Sequence, residues 1–235
     1  MAYSDHALQL HHDSNFALHA FARKVAHKKS PGLIWVIFLL ESIDMTDAPK
    51  RDERILGHQG YGLIQVVHGD GKGKTTSCLG TAIRCAGAGK RVAIVYFDKG
   101  GGHYSERIIL DSIPNITYWV TGRDRIDPVT GRFDFSITDV DRAEASRGLA
   151  CARQALAGAF DLVVLDEINS TTQLGMLAEE DVLRVLAEKS PQTEVTLSGR
   201  NPPQSFLDAA HLISRVSNER HYFYSGVRAR EGIDF

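Results

Sequence analysis

The stretch Leu63-Ile64-Gln65-Val66-Val67-His68-Gly69-Asp70-Gly71-Lys72-Gly73-Lys74-Thr75-Thr76 passes from an apolar run into glycines and then into Lys-Thr-Thr. Leu63–His68 has the short, β-branched character of a buried strand. Lys74–Ala88 is rich in helix-compatible residues and stops at Gly87–Gly89, a natural helix end. Strand, glycine loop and helix in that order make a phosphate loop. Glycines at Gly69, Gly71 and Gly73 let consecutive backbone N–H groups turn toward one anion, with Asp70, Lys72 and Thr76 completing the wrap. The helix N-terminus adds the positive end of its dipole, and Lys74 adds a full charge. Thr75 is positioned to offer a hydroxyl to magnesium. The usual pattern GxxxxGK[ST] would put glycine at position 68, where His68 stands. Counted from Gly69, the loop is one residue shorter, which supports nucleotide binding more strongly than ordinary phosphoryl transfer.

Working outward, the chain alternates strands and helices. Arg91–Phe97, Ile116–Val120, Phe160–Leu165, Glu194–Ser198 and Leu212–Val216 read as further strands. Thr138–Ala157, with Asp139 and Asp141 in its first turn, reads as a helix, as do Glu179–Glu188 and Pro203–Ala210. This pattern predicts an α/β fold with a mainly parallel sheet and helices on both faces, P-loop NTPase-like and RecA-like. The run Leu162-Val163-Val164-Leu165 ends in Asp166-Glu167. An acidic strand end behind a phosphate loop is the usual arrangement for holding magnesium, directly or through water, and either carboxylate can be the closer one. No GxSxG, HExxH or paired Cys/His arrangement is present, and His103 and His221 are acid–base candidates by residue type alone.

The composition bounds what the protein does. Its 235 residues carry a formal net charge of -2, so no global basic field attracts nucleic acid or an anionic membrane. Cys78, Cys85 and Cys151 form no CxxC pair. Cys78 and Cys85, seven apart on the first helix, share a face and read as core residues, which fits a cytoplasmic, reducing compartment. The apolar run Leu33–Leu40 is far shorter than the ~20 residues of a membrane span, and Lys28 and Lys29 before it are followed by no cleavage site. Residues 1–44 hold His6, His11, His12, His19 and His27 but no motif. His11–His12 lacks a carboxylate or thiol at ligand spacing, so a solvated terminus is the simpler reading than a metal site. The expected organisation is an N-terminal extension over 1–61, with translation starting at Met45 favoured over an extra element, and a P-loop domain over 62–235.

GDGKGKTT, LVVLDEIN at Leu162–Asn169, SGRNPP at Ser198–Pro203 and HYFYSGVRAREGIDF at His221–Phe235 together resemble the P-loop ATP:corrinoid adenosyltransferases. The resemblance covers roughly Gly62 to Phe235. Its C-terminal pattern, here Gly226-Val227-Arg228-Ala229-Arg230-Glu231-Gly232-Ile233-Asp234-Phe235, is far more specific than the phosphate loop. The resemblance implies binding of ATP with Mg²⁺ (or Mn²⁺), reversed relative to kinases, and attack by the cobalt(I) of a corrinoid on the 5′ carbon. Co(I) then supplies the nucleophile that the chain lacks. The family implies that Lys74 stabilises the triphosphate, that Thr75 and Glu167 hold the metal, and that Arg84 matches a family arginine. It also implies a Phe-x-Trp pair beneath the corrin, matched here by Phe133-Asp134-Phe135, with Trp119 as an alternative occupant. The stretch Thr121–Arg132 is longer than the family's, Asp70 stands where Asn is common, and Ser170 stands where an aromatic is common. A flavodoxin-type reductase and a homodimer are family implications as well. The competing readings are a kinase or NTPase, and a non-catalytic nucleotide- or corrinoid-binding regulator.

Overall fold

Six short apolar runs form the strands of one sheet: β1 (Ile64–His68), β2 (Val92–Tyr96), β3 (Ile116–Val120), β4 (Leu162–Asp166), β5 (Glu194–Gly199) and β6 (Leu212–Arg215). The computed structural model describes residues 51–127, 129 and 131–234. Residues 54–234 form one compact unit. Before it, Arg51 pairs with Glu53 at 3.0 Å. The expectations for the histidine-rich segment, Leu33–Leu40 and a start at Met45 lie outside the described residues.

All pairings in the sheet are parallel, in the order β3-β2-β4-β5-β1-β6. The α/β class expected from the sequence is the one found. β5 lies between the phosphate-loop strand β1 and the acidic strand β4, a RecA-like, P-loop NTPase-like order. Parallel strands need crossovers, and here helices supply them: α1 (Lys74–Gly87), α2 (Glu106–Leu110), α3 (Asp139–Ala157), α4 (Ile168–Gln173), α5 (Glu179–Ala187) and α6 (Gln204–Ala209).

Alternation along each strand divides the core between the two faces. Val66, Val95, Val163, Leu165, Val195 and Leu197 face α3, α5 and α6, whose Ala152, Leu156, Val182, Val185 and Phe206 are buried against them. Val67, Val92, Ile94, Tyr96 and Val164 face the other way, against Cys78, Ala82 and Ala86 of α1 and Leu110 of α2. Burial pushes the Cys78 thiol up to about 12, so it stays protonated core material. Among the described residues no helix is long and apolar enough to cross a membrane.

Local signals fix the helix ends near the site. Thr138 caps α3: Asp141 Oδ2 accepts from the Thr138 N–H at 2.7 Å, and the Thr138 hydroxyl accepts from the Asp141 N–H at 3.4 Å. Gly73 caps α1 at φ +116°, a left-handed turn that suits glycine.

Two glycines give opposite expectations. Gly80 lies exposed in α1 with nothing within 4 Å of an added Cβ, so Gly80→Ala should stabilise by about 0.5–1 kcal/mol through helix propensity. At Gly148 in α3 a Cβ would meet Phe97 Cε1 at 2.7 Å and Thr121 Oγ1 at 2.8 Å. Gly148→Ala should therefore destabilise by about 1–3 kcal/mol despite the same propensity gain. Urea unfolding of the two variants checks both signs.

Candidate functional site

In an open parallel sheet the crevice lies beyond the carboxyl ends of the strands, where consecutive connections diverge. Here the chain turns sharply at those ends. Asp98 after β2, Glu167 after β4 and Asn201 after β5 all have positive φ, at 50°, 64° and 45°. Such conformations are strained for non-glycine residues and cluster where geometry serves function.

The phosphate loop Gly69–Gly73 leaves β1 and enters α1. It is braced from behind by the chain after β6: the Gly71 N–H donates to the Val216 carbonyl at 2.8 Å. A Cβ on Gly69 would stand 2.3 Å from that same carbonyl oxygen, and one on Gly71 would stand 2.7 Å from Val216. Both positions therefore need glycine for close backbone approach. Lys74 is buried, and its ammonium folds back to donate to the Gly71 carbonyl at 2.9 Å. Burial pulls the Lys74 ammonium below its ordinary range, and Glu167 and Asp70 partly offset this. At the loop's base burial, with Arg215 and Lys74 nearby, lowers the His68 imidazole as well, so it stands beside the loop as a neutral ring at pH 7.

Asp166, at the end of β4, has a side chain only 1% exposed. Its two oxygens stand 3.2 Å from the Thr75 hydroxyl. Ser198 of β5 donates to Oδ1 at 2.5 Å, and Lys99 donates to Oδ2 at 2.5 Å and to Thr75 Oγ1 at 2.8 Å. Burial alone would lower the Lys99 ammonium, but Asp166 and Glu167 outweigh it and raise it above its ordinary range. Lys99 is therefore a fixed cation. Glu167 follows, its N–H donating to Ser198 Oγ at 3.1 Å and its Oε2 accepting from Ser170 at 2.6 Å. Ser170 in turn accepts from the Arg200 N–H at 2.8 Å, which ties the end of β5 to Glu167.

The C-terminal segment closes over the loop. Lys72 Nζ donates to the Ile233 carbonyl at 2.6 Å and pairs with Asp234 at 2.9 Å. Tyr222 also donates to Asp234, and Arg230 donates to it through N at 2.9 Å and Nε at 3.2 Å. Tyr222, Lys72 and Arg230 hold the Asp234 carboxyl well below the usual range. The result is a cavity of about 300 Å³ over Gly71–Thr76, walled by Glu167, Arg200, His221, Tyr222 and Asp234. A second cavity of about 440 Å³ shares Lys72, Thr75, Thr76 and Asp234 with it and adds Lys99 and Tyr104.

Of the residues picked from sequence, Asp70, Gly71, Lys72, Gly73, Lys74, Thr75, Thr76 and Glu167 line the first cavity, Asp166 touches its lining through Thr75, and Gly69 precedes Asp70 against Val216. His221 also lines it and accepts from the Phe223 N–H through Nδ1. Arg84 sits exposed on the third turn of α1 and lines neither cavity. Phe133 and Phe135 stand with ring centres 4.7 Å apart and planes tilted by 52° on the connection between β3 and α3, 50% and 83% exposed. Arg125 anchors that connection, binding Asp98 at 2.7 Å and the Asp134 and Ser136 carbonyls at 3.0 and 2.8 Å. Trp119, partly buried, packs edge-on against Phe160 beside the core. Lys99 escaped the sequence reading, and Ser198 and Tyr222 entered it only as members of family motifs, without a role.

Among the described residues no three His, Cys, Asp or Glu side chains form a metal cluster on their own. The donors present, the Thr75 hydroxyl and the Asp166 and Glu167 carboxylates, suit magnesium, which keeps waters and takes phosphate oxygens alongside one or two carboxylates.

Residues 60–235 match the model of the family described as ATP:corrinoid adenosyltransferase BtuR/CobO/CobP. The corrinoid adenosyltransferase of Escherichia coli K12 is 33% identical over 197 residues, covering 83% of this chain and 93% of that protein. Corrinoid adenosyltransferase CobA of Salmonella typhimurium LT2 is 31% identical over 197 residues, with the same coverage. An uncharacterised Nostoc protein is 33% identical over 73% of this chain, which spans about half (48%) of that relative's length. Among solved structures, the RadB recombinase superposes with a TM-score of 0.44 at 20% identity, over 72% of this chain and 80% of that one. With three quarters of its length matched and its phosphate loop, acidic strand and C-terminal motif gathered at one sheet edge, the chain belongs to the ATP:corrinoid adenosyltransferase family.

Proposed function

We propose that the protein transfers the 5′-deoxyadenosyl group of ATP to the cobalt(I) of a corrinoid, in biosynthesis or salvage of the adenosylated cofactor. The observation that carries this reading is the position of the family's C-terminal motif. Ile233 and Asp234 hold Lys72 of the glycine loop, so the motif forms part of the wall of the cavity over that loop. The Co–C5′ bond forms as the bond from C5′ to the α-phosphate oxygen breaks, and triphosphate departs with that electron pair. Cobalt brings the nucleophile, so the protein's part is grip, orientation and charge.

The loop N–H groups and Lys74 bind the triphosphate, and Lys74 turns from the Gly71 carbonyl to a phosphate oxygen. Thr75, Asp166 and Glu167 would hold Mg²⁺ or Mn²⁺, which would supply charge neutralisation for the leaving triphosphate. Ser170 and Ser198 orient the two carboxylates. Phe133 and Phe135, on a connection at the same sheet edge, offer an apolar face to the corrin, and Arg84 takes a supporting role on α1. The same reading takes the reaction to be cytoplasmic, with a homodimer as the working unit and a flavodoxin-type reductase delivering the electron that makes Co(I).

With ATP, Mg²⁺ and chemically reduced cob(I)alamin, Co–C absorbance should grow in step with triphosphate. Release of ADP instead would overturn the proposal. Lys74→Ala should cut kcat/KM by about 10²–10³ with unchanged circular dichroism, as expected for loss of one preorganised charge; near-native turnover would remove Lys74 from the mechanism. Phe135→Ala should slow the coupled reaction starting from Co(II) more than the reaction of pre-reduced Co(I), and equal slowing would separate Phe135 from the corrin.

A further inference from the structure

The Lys99 ammonium sits between two of the groups proposed above as donors to a divalent cation. It lies within 2.8 Å of the Thr75 hydroxyl and 2.5 Å of Asp166 Oδ2, the two donors that meet at the end of β4. Its side chain is only 12% exposed, so solvent competes weakly for it. Ser198 and Thr75 satisfy the remaining acceptor capacity of Asp166. A carboxylate this deeply buried needs a compensating cation, and the protein supplies one from its own chain.

We infer that Lys99 is a tethered stand-in for the metal, which excludes divalent cations from the free protein and yields its place when the triphosphate arrives. The inference rests on the reading of Thr75 and Asp166 as metal donors. A hydroxyl and a carboxylate cannot hold an ammonium and a divalent ion at the same point, because the two charges repel in a poorly solvated site. Bare metal must therefore displace Lys99 and leave its charge stranded. Phosphates remove that obstacle. Lys99 lines the second cavity, which shares Lys72, Thr75 and Thr76 with the loop cavity, so the ammonium can swing from Asp166 toward a phosphate oxygen without leaving the site. The nucleotide thus offers Lys99 a new anion and the metal its missing ligands in one step. Metal and nucleotide then bind with positive coupling, each strengthening the other. Lys99 acts here as a positioning residue, setting the order in which the site fills.

The test is Mn²⁺ titration of the full chain, read from the electron paramagnetic resonance of free Mn²⁺, with and without ATP and with no corrinoid present. Lys99→Met should bind Mn²⁺ without ATP about tenfold more tightly than the unaltered protein, within the usual range of coupling between sites. The gain on adding ATP should shrink by a similar factor. Lys99→Arg, which keeps the charge, should resemble the unaltered protein more than Lys99→Met. If the neutral variant unfolds without metal, Mn²⁺ should raise its melting temperature more than that of the unaltered protein, and equal increments would overturn the inference. Unchanged Mn²⁺ affinity in folded Lys99→Met would overturn it as well. Asp166→Asn separates the two ways of failing. If that variant keeps full Mn²⁺ affinity with ATP, the metal donors are misassigned and the inference falls with them. If it loses Mn²⁺ while Lys99→Met changes nothing, Lys99 alone is misread.

Discussion

A carboxylate buried at the end of a central strand must be matched, or the strand cannot end there. Asp166 imposes that constraint, and much of the site is its solution. Ser198 reaches it from β5, Thr75 from the first turn of α1, and Lys99 from the loop after β2. Three separate connections are thereby fixed relative to one another at the carboxyl edge of the sheet. Asp166 ends β4 in register with Tyr96 of β2, which brings the loop carrying Lys99 alongside. The next residue, Glu167, takes a left-handed conformation that starts α4. A left-handed backbone at Glu167 and a buried carboxylate at Asp166 thus stand side by side at the carboxyl end of β4.

The second organising feature is the return of the C-terminus to the loop. Asp234 gathers Tyr222, Arg230 and Lys72 around one carboxylate, so the family's most specific sequence pattern becomes a wall of the phosphate cavity. Asn218 adds to this by donating to the Asp70 carbonyl at 3.1 Å. The phosphate loop is therefore held from below by Val216 and from above by the tail. A loop braced on two sides presents its N–H groups with little reorganisation, which favours binding of an anion.

The sheet was largely legible in the sequence because its strands are short apolar runs bounded by glycine or charge. Phe160–Leu165 was read two residues early, since Phe160 and Asp161 look like strand but belong to the turn before Leu162. The helices Glu106–Leu110 and Ile168–Gln173 left no sequence signal: neither is long enough to display a helical period. At the candidate site, the glycine loop, Lys74, Thr75, Asp166 and Glu167 could be singled out from the sequence because local order and residue type point to one chemistry, and the fold brings them together. Lys99 could not be. In the string Asp98-Lys99-Gly100-Gly101-Gly102 it looks like a solvated loop charge, and its burial arises only when β2 pairs with β4. Arg125 was hidden for the same reason, since its partners Asp98 and Asp141 come from a different strand end and a different helix. A paired register of strand ends, read across the sheet, is the signal that would have found both.

The account stands on the triphosphate being the part held and the sugar carbon being the part attacked. Tracing the bridging oxygen tests that most directly. ATP carrying ¹⁸O between C5′ and the α-phosphorus, turned over with cob(I)alamin, should deliver the label quantitatively to the released triphosphate, visible as an isotope shift on its terminal phosphorus signal. Label retained in a nucleotide product, with cleavage between phosphorus atoms, would contradict it.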